Sequence, residues 1–342
     1  MKRRVVKGEG SSAGGQGEGT GDRELTPKER KAAKAQRRAE EEALSREEFL
    51  EICEQHQASG TIAAAALFLA VFGVLVLTMY PTVPGGDSGE LIVAACTRGI
   101  AHPPGYPLFT MLGIAFHDLI PFGSPAWRVN LLSVVLSASS ASLLFLAIWR
   151  WDMHDAWKSS SSGGGGGVSS SSDKTTSSAV GASSIFAGLY GAGMLAFCPL
   201  IWMYSIQAEV FALNNFFVSA LVYLTVLYVQ TRDAKIAYWG AFVIGLGLSN
   251  QHTLLFYAAP MSLFILSLGY RGELGTPEGF AMLCLSGLCG LLPYLYLPIA
   301  GREAGFGAWG EVDTVDGFLT HFLRKEYGTF RLYSGNEGEV RR

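Results

Sequence analysis

Charge is scarce in this chain. Only 16% of its 342 residues are charged, 49% are hydrophobic and the mean hydropathy is +0.27, which excludes an ordinary soluble domain and leaves room for several membrane spans. The formal charge of -3 comes without any concentrated basic face, so no nucleic-acid partner is expected. Cysteine is sparse as well. Cys53, Cys96, Cys198, Cys284 and Cys289 are scattered, four of them in apolar runs or beside the first span. They fit neither metal-ligand spacing nor a disulfide framework and read as small buried hydrophobes. No Asp, His or Cys cluster has recognisable ligand spacing, so no metal is expected. A second copy of the Gly85-Gly86-Asp87 pattern is also missing, which weighs against a secondary transporter built from paired repeats.

The first sixty residues stand apart from the rest. Residues 1–22 are rich in Gly and Ser, and 24–54 are dense in Lys, Arg and Glu, so neither stretch can bury a core; residues 1–60 are expected to be a disordered tail that becomes an exposed, charge-laced helix. The apolar run 61–80 follows this long tail and lacks a small-residue cleavage site, which makes it a retained anchor. Further spans are expected at 129–149, 182–203, 211–229, 236–250, 253–268 and 279–299. The run 108–120 is short and bracketed by prolines, suiting a surface or re-entrant helix.

With 108–120 not crossing, the loops sort by composition. Loops 150–181, 230–235 and 269–278 share the side of the tail and carry Arg150, Lys158, Lys174, Arg232, Lys235 and Arg271, which makes that side cytoplasmic. The first of them is a Ser/Gly low-complexity linker. The other side collects Gly85 to Pro107, Ser205 to Asn215, Asn250 to His252 and residues 301–342. The fold class that follows is all-α: a polytopic bundle over 61–300 with surface helices in its first exoplasmic loop and its polar groups at one end.

Acidic groups beside hydrocarbon are costly unless solvated, paired or used, so Asp87 and Glu90 at a helix exit point to a reaction centre facing a wet cavity. Asp87 is the candidate general base, with Glu90 one turn on to hold or tune it. Asp87-Ser88-Gly89-Glu90 equally fits a capping box. His102, stiffened by Pro103, Pro104 and Pro107, either contacts substrate or satisfies backbone groups in a proline turn. Glu209 begins a span, where a carboxylate also complements the helix dipole; with Gln207, Asn214 and Asn215 it makes a polar group too expensive to face lipid. Gln251 and His252 either hydrogen-bond sugar hydroxyls or finish a helix. Arg302 either grips a lipid-linked phosphate or snorkels. Trp127, Trp309, Tyr294 and Tyr296 read as interfacial aromatics.

Six motifs together carry a resemblance: Gly-Gly-Asp-Ser-Gly-Glu-Leu (85–91), Ala-His-Pro-Pro-Gly-Tyr-Pro-Leu (101–108), Gln-Ala-Glu-Val-Phe-Ala-Leu-Asn-Asn (207–215), Asn-Gln-His-Thr (250–253), Leu-Tyr-Leu-Pro-Ile (295–299) and His-Phe-Leu-Arg-Lys-Glu-Tyr-Gly-Thr-Phe (321–330). As a set they resemble the transmembrane protein O-mannosyltransferases that act on TIG (IPT) domains. The resemblance covers nearly everything from residue 61 onward. It implies a GT-C-like helical bundle, multi-pass residence in the endoplasmic reticulum membrane with a cytoplasmic N-terminus and a lumenal site, no cofactor, and dolichyl phosphate mannose as donor substrate. It also implies acceptor protein domains as partners beside membrane lipid. The classical protein O-mannosyltransferases carry a lysine after the His-Pro-Pro element where Pro107 stands, leaving the phosphate contact to another cation, for which Arg302 is the candidate. Family members continue into a large lumenal domain, so 301–342 reads as the start of that region in a partial or divergent form.

The implied reaction is an inverting displacement with Asp87 as base. Arg302 and His252 assist the phosphate, and Glu209, Gln251 and Asn214 hold the sugar or shape the cavity, while His102 and Tyr106 contact substrate. The competing expectations are a secondary transporter and a catalytically inactive scaffold.

Overall fold

A computed structural model describes residues 26–162, 173–303, 305 and 307–325. The expected disordered stretch 1–22, the heart of the Ser/Gly linker and residues 326–342 lie outside them. Every regular element among the described residues is helical. In chain order these are α1 (Pro27–Thr78), α2 (Ser88–Thr97), α3 (Pro107–Leu119), α4 (Pro125–Ser162), α5 (Asp173–Ala196), α6 (Pro199–Ser205), α7 (Val210–Thr231), α8 (Ala234–Leu248), α9 (Leu255–Gly269), α10 (Pro277–Gly290), α11 (Tyr296–Arg302) and α12 (Val315–Phe322), with short 3-10 turns between some of them.

The chain divides into two units, with the break between Ser45 and Arg46. In the first, Thr26 and Glu29 form a reciprocal capping box that starts α1: the Thr26 N–H donates to Glu29 Oε2 (2.7 Å) and the Glu29 N–H to Thr26 Oγ1 (3.3 Å). The rest of this unit is an exposed charged helix, as its composition requires. The second unit claims α1 earlier than the sequence boundary at 60 implied. Phe49 and Cys53, one turn apart, are buried against Trp149 and Met153, an apolar pair hidden inside a charged run.

Four helices are long and apolar enough to cross a membrane, or six if each of two bent pairs counts as one span. The bent pairs are residues 181–196 with α6, broken by 69° at Pro199, and α10 with residues 292–302, broken by 41° at Pro293. Helix α8, with 15 residues, rises about 22 Å, short of the roughly 30 Å hydrocarbon core. Its direction is nonetheless fixed. Phe211 at the start of α7 and Gln251 just beyond α8 line the same cavity, and Asn250 Nδ2 donates to the Val210 carbonyl at 3.0 Å, so α8 returns antiparallel to α7. At the other end Arg150 Nε donates to Gln230 Oε1 and Gln230 Nε2 to the Arg150 carbonyl, both at 3.0 Å.

Helix α3 has only 13 residues and lays Pro107, Phe109, Thr110 and Gly113 inward, with Gly113 seated against Ala95 and Val129. Cysteine burial departs from expectation. Only Cys53 is buried, while Cys96 and Cys198 are half-buried and Cys284 and Cys289 are exposed on α10 beside Phe280, Leu285 and Leu288.

One close approach shapes the α8–α10 pair. A Cβ at Gly290 would collide with the Phe242 carbonyl and with Gly245 Cα, and one at Gly245 with the Gly287 carbonyl. Backbone meets backbone here, and neither can give way. Gly290→Val is therefore expected to cost about 2–3 kcal/mol of stability, read as a fall in the thermal unfolding midpoint in detergent. An unchanged midpoint would show that the two helices can separate freely.

Candidate active site

The site starts with one buried amide. Asn130, near the start of α4, donates through Nδ2 to the carbonyls of Tyr80 (2.9 Å) and Thr82 (3.0 Å), while its Oδ1 accepts the Ala208 N–H (2.9 Å). The exit of α1, the loop to α2 and the loop into α7 thus meet at one side chain. The next N–H, of Glu209, donates to Ser133 Oγ at 3.4 Å. Glu209 is thereby delivered behind the Gly85-Gly86 turn, where Gly86 has φ +71° and a Cβ would sit 3.1 Å from Glu209 Oε1. Only glycine takes that backbone conformation without strain.

The capping-box reading of Asp87-Ser88-Gly89-Glu90 does not hold. Asp87 occupies the N-cap position of α2 but makes no side-chain cap bond. Glu90 reaches away from the helix start to His102 instead, accepting the His102 N–H (2.5 Å) and approaching Nδ1 at 3.1 and 3.2 Å. The Glu209 carboxylate lies beside the Asp87 N–H and the buried Ser88 hydroxyl. His102 Nε2 lies 3.2 Å from the Tyr106 hydroxyl and 3.9 Å from Asp87 Oδ2.

The C-terminal segments hold this loop from the other side. Three successive carbonyls are captured: Gly99 by the Tyr296 hydroxyl (2.9 Å), Ile100 by the Trp309 N–H (3.0 Å) and Ala101 by His321 Nε2–H (3.1 Å). Tyr294, expected at a membrane interface, is buried and donates to the Leu248 carbonyl (3.0 Å) while accepting from His252 Nε2–H (2.7 Å).

A cavity of about 730 Å³ opens among these elements, lined by Asp87, Glu90, His102, Pro104, Tyr106, Phe211, Gln251, His252, Thr253, Trp309 and Arg324. A second, apolar cavity of about 240 Å³ between α7, α8, α9 and α10 holds no charged side chain. Of the sequence candidates, Asp87, Glu90, His102, Tyr106, Gln251 and His252 therefore line this cavity. Glu209 sits just behind it, buried. Asn214 is buried one turn into α7 with Oδ1 unpartnered, off the cavity lining.

Arg302 is a correction. It stands exposed at the end of α11 and does not reach the cavity; the chain folds back after it, packs α12 on Tyr294 through Phe318 and Phe322, and brings in Arg324. Arg324 lies inside the His321–Phe330 motif, which was the available signal. Trp309 likewise lines the cavity, its ring 6.5 Å from that of His102. Asn130 and Ser133 gave no sequence signal beyond polarity in an apolar run.

Charge in the site is uneven. Burial, with the Asp87 charge, pushes the Glu209 carboxyl up to about 7, against the pull of the Asp87 N–H and Ser88. Burial opposes ionisation of Glu90 too, but the hydrogen bonds from His102 outweigh it and hold its pKa below the usual value. Tyr106 is pushed up to about 12, chiefly by burial, and stays a neutral donor. Asp87, Glu90 and Arg324 thus line one cavity, which brings together the groups needed to deprotonate a hydroxyl and receive an anion.

Residues 87–272 match the Protein O-mannosyl-transferase TMEM260 N-terminal domain family. The chain belongs to the TMEM260 family. It is 36% identical over 297 residues to "Protein O-mannosyl-transferase tmem260" of Dictyostelium discoideum, covering 82% of this chain and 33% of that protein. It is 41% identical over 280 residues to "Protein O-mannosyl-transferase TMEM260" of Mus musculus, covering 80% of this chain and 36% of that one. The chain spans about a third of the length of the curated relatives it matches. No solved structure matches it. The TMEM260 domain boundary at residue 87 falls on Asp87 itself, while Trp309, His321 and Arg324 lie beyond its end.

The Glu209 pKa sets a pH dependence. A carboxyl raised from 4.5 to about 7 on folding contributes stability that is fully present below 4.5 and is lost as pH rises through about 7. The thermal midpoint of Glu209→Gln relative to wild type is therefore expected to climb across this window. A constant difference would place Glu209 ionised throughout.

Proposed function

We propose that this chain carries the catalytic end of a membrane mannosyltransferase that moves mannose from dolichyl phosphate mannose to Ser or Thr of TIG (IPT) domains in the endoplasmic reticulum lumen, by inverting displacement with Asp87 as base. The observation that carries this reading is the cavity in which the exposed Asp87 carboxylate, its Oδ2 3.9 Å from His102, shares a lining with Arg324 and His252. Family membership supplies the transferase class. The donor, acceptor and compartment rest on the six-motif resemblance.

Membrane orientation follows from charge. Arg150, Arg232, Lys235 and Arg271 gather at the end of the bundle away from the cavity, and the positive-inside rule makes that end cytoplasmic and the cavity lumenal. A lipid donor suits a cavity at the bundle's end, because its phosphate belongs at the bilayer surface while its isoprenoid tail stays between or beside the spans.

The chemistry needs a base, a receiver for the leaving phosphate and a shaped pocket for an oxocarbenium-like sugar. Asp87 accepts the proton as the acceptor oxygen attacks the anomeric carbon and the bond from that carbon to the phosphate oxygen breaks. Arg324 takes the role expected of Arg302, its guanidinium fork matching phosphate oxygens. His252, with Nε2–H committed to Tyr294, keeps Nδ1 as an acceptor for a sugar hydroxyl. Gln251 Oε1, buried without a partner on the cavity wall, offers a second. Trp309 and Phe211 supply apolar surface for the ring face.

Asp87→Asn is expected to lower mannosyl transfer to a purified TIG domain by at least a thousandfold (about 4 kcal/mol) with the thermal midpoint kept, since Asp87 makes no cap bond. Arg324→Gln is expected to raise KM for the lipid donor about tenfold while leaving KM for the acceptor unchanged. Full activity of Asp87→Asn, or no transfer by the wild-type chain, would overturn the reading; solute flux into vesicles would favour a transporter.

A further inference from the structure

We propose that Glu90 and His102 form a proton relay behind Asp87, Glu90 positioning the imidazole through Nδ1–H so that Nε2 receives the proton that Asp87 takes from the acceptor hydroxyl. This rests on the mannosyltransferase reading and gives His102 a role distinct from substrate contact.

The geometry assigns the parts. Glu90 grips His102 twice, by its backbone N–H and by Nδ1, so neither the main chain nor the ring is free to turn. An ionised carboxylate only accepts hydrogen bonds, so the neutral ring carries its proton on Nδ1 and its lone pair on Nε2. Among the described residues, the Tyr106 hydroxyl at 3.2 Å and Asp87 Oδ2 at 3.9 Å lie near that lone pair. The Tyr106 ring packs edge-on against the imidazole, with centroids 5.1 Å apart, and Trp309 closes the other side. The Asp87 side chain is 63% exposed and the His102 side chain 16%, so Asp87 meets the substrate while His102 stays behind it. A rotation of the exposed carboxylate, or one water, closes 3.9 Å to hydrogen-bond distance.

The advantage is basicity. An imidazole is a stronger base than a carboxylate by about 2–3 pK units, so coupling the two strengthens the pull on a hydroxyl proton without placing a bulky ring against the sugar. The steps balance without any co-reactant. The acceptor O–H bond breaks as Asp87 O–H forms, then Asp87 O–H breaks as Nε2–H forms, and the imidazolium between two carboxylates releases its proton to solvent.

Among the described residues, the groups facing His102 include Asp87 at the N-cap of α2, Glu90 on α2, Tyr106 on its own segment, Glu209 ahead of α7, His321 on α12 and Arg324 beyond it. Burial disfavours the imidazolium, and so does Arg324; the hydrogen bond and charge of Glu90, with the charge of Asp87, outweigh them and raise the His102 pKa above its ordinary value.

The test is 15N imidazole NMR on the full chain in detergent, His102 being assigned by the signal lost in His102→Gln. A neutral ring protonated at Nδ1, and a titration midpoint falling by about one unit in Glu90→Gln and by less in Asp87→Asn, would support the relay. A neutral ring protonated at Nε2, or a midpoint unmoved in Glu90→Gln, would overturn it.

Kinetics give an independent readout. Imidazolium cannot accept a proton, so activity falls as pH drops through the His102 midpoint. Glu90→Gln is then expected to shift this acid limb to lower pH while kcat falls about a hundredfold. A lowered kcat with the limb unmoved would make Glu90 merely structural and overturn the relay. If the wild-type chain transfers no mannose the function itself fails, and the tautomer and midpoint still decide the relay.

Discussion

A single fully buried amide sets the architecture of the catalytic end. Asn130 lies inside an apolar bundle, where each unmade hydrogen bond costs about 1–3 kcal/mol, so its two donors and its acceptor hold their partners firmly. Those partners belong to three segments remote in sequence: the end of α1, the loop before α2 and the loop before α7. Asp87 follows the second of these by five residues and Glu209 is next to the third. The amide therefore does more than stabilise, because it obliges two carboxylates to approach in a place where water is limited.

That approach has an electrostatic consequence. Two carboxylates in one corner do not ionise independently, and the more buried one yields. Glu209 is the buried member and has its pKa raised; Asp87 looks into the cavity and is the one able to meet a substrate. Glu90 escapes the competition because His102 hydrogen-bonds it, which leaves three acidic groups near the start of α2, two from its own segment and Glu209 from the start of α7, in three different environments. The ordering runs from the open cavity inward: Asp87 outermost, then Glu90 with His102, then Glu209 sealed behind the glycine turn.

The spans were readable because run length and hydropathy are local properties, and the short α3 betrayed itself by flanking prolines and a length of 13 residues. One-sided clustering of the motifs was equally legible, since loop composition fixes which ends of successive helices share a face. What failed was any inference about which side chain meets which. Asp87-Ser88-Gly89-Glu90 satisfies the local pattern of a capping box, yet Glu90 found a better partner in His102, twelve residues on, because the proline turn folds back over α2. Arg302 fails as the phosphate partner because hydropathy locates the end of the last span but says nothing about how the chain returns afterwards. Asn130 was invisible for a related reason. A lone asparagine in an apolar run carries no periodic signal, and its partners are backbone atoms whose identity a sequence does not encode.

The tail segments close the argument about why the cavity exists at all. Loop Gly99–Ala101 has carbonyls that would stand unpaired beside an apolar bundle, and Tyr296, Trp309 and His321 take all three. All three lie beyond the matched family domain, which ends at residue 272, so the segments that follow it help to close the site. The chain that follows the family domain also brings Arg324 to the cavity lined by Asp87 and Glu90. Cation and carboxylates thus reach one cavity from separate structural elements. A cavity lined in this way offers a base to a substrate that gives up a proton and a cation to the anion it leaves.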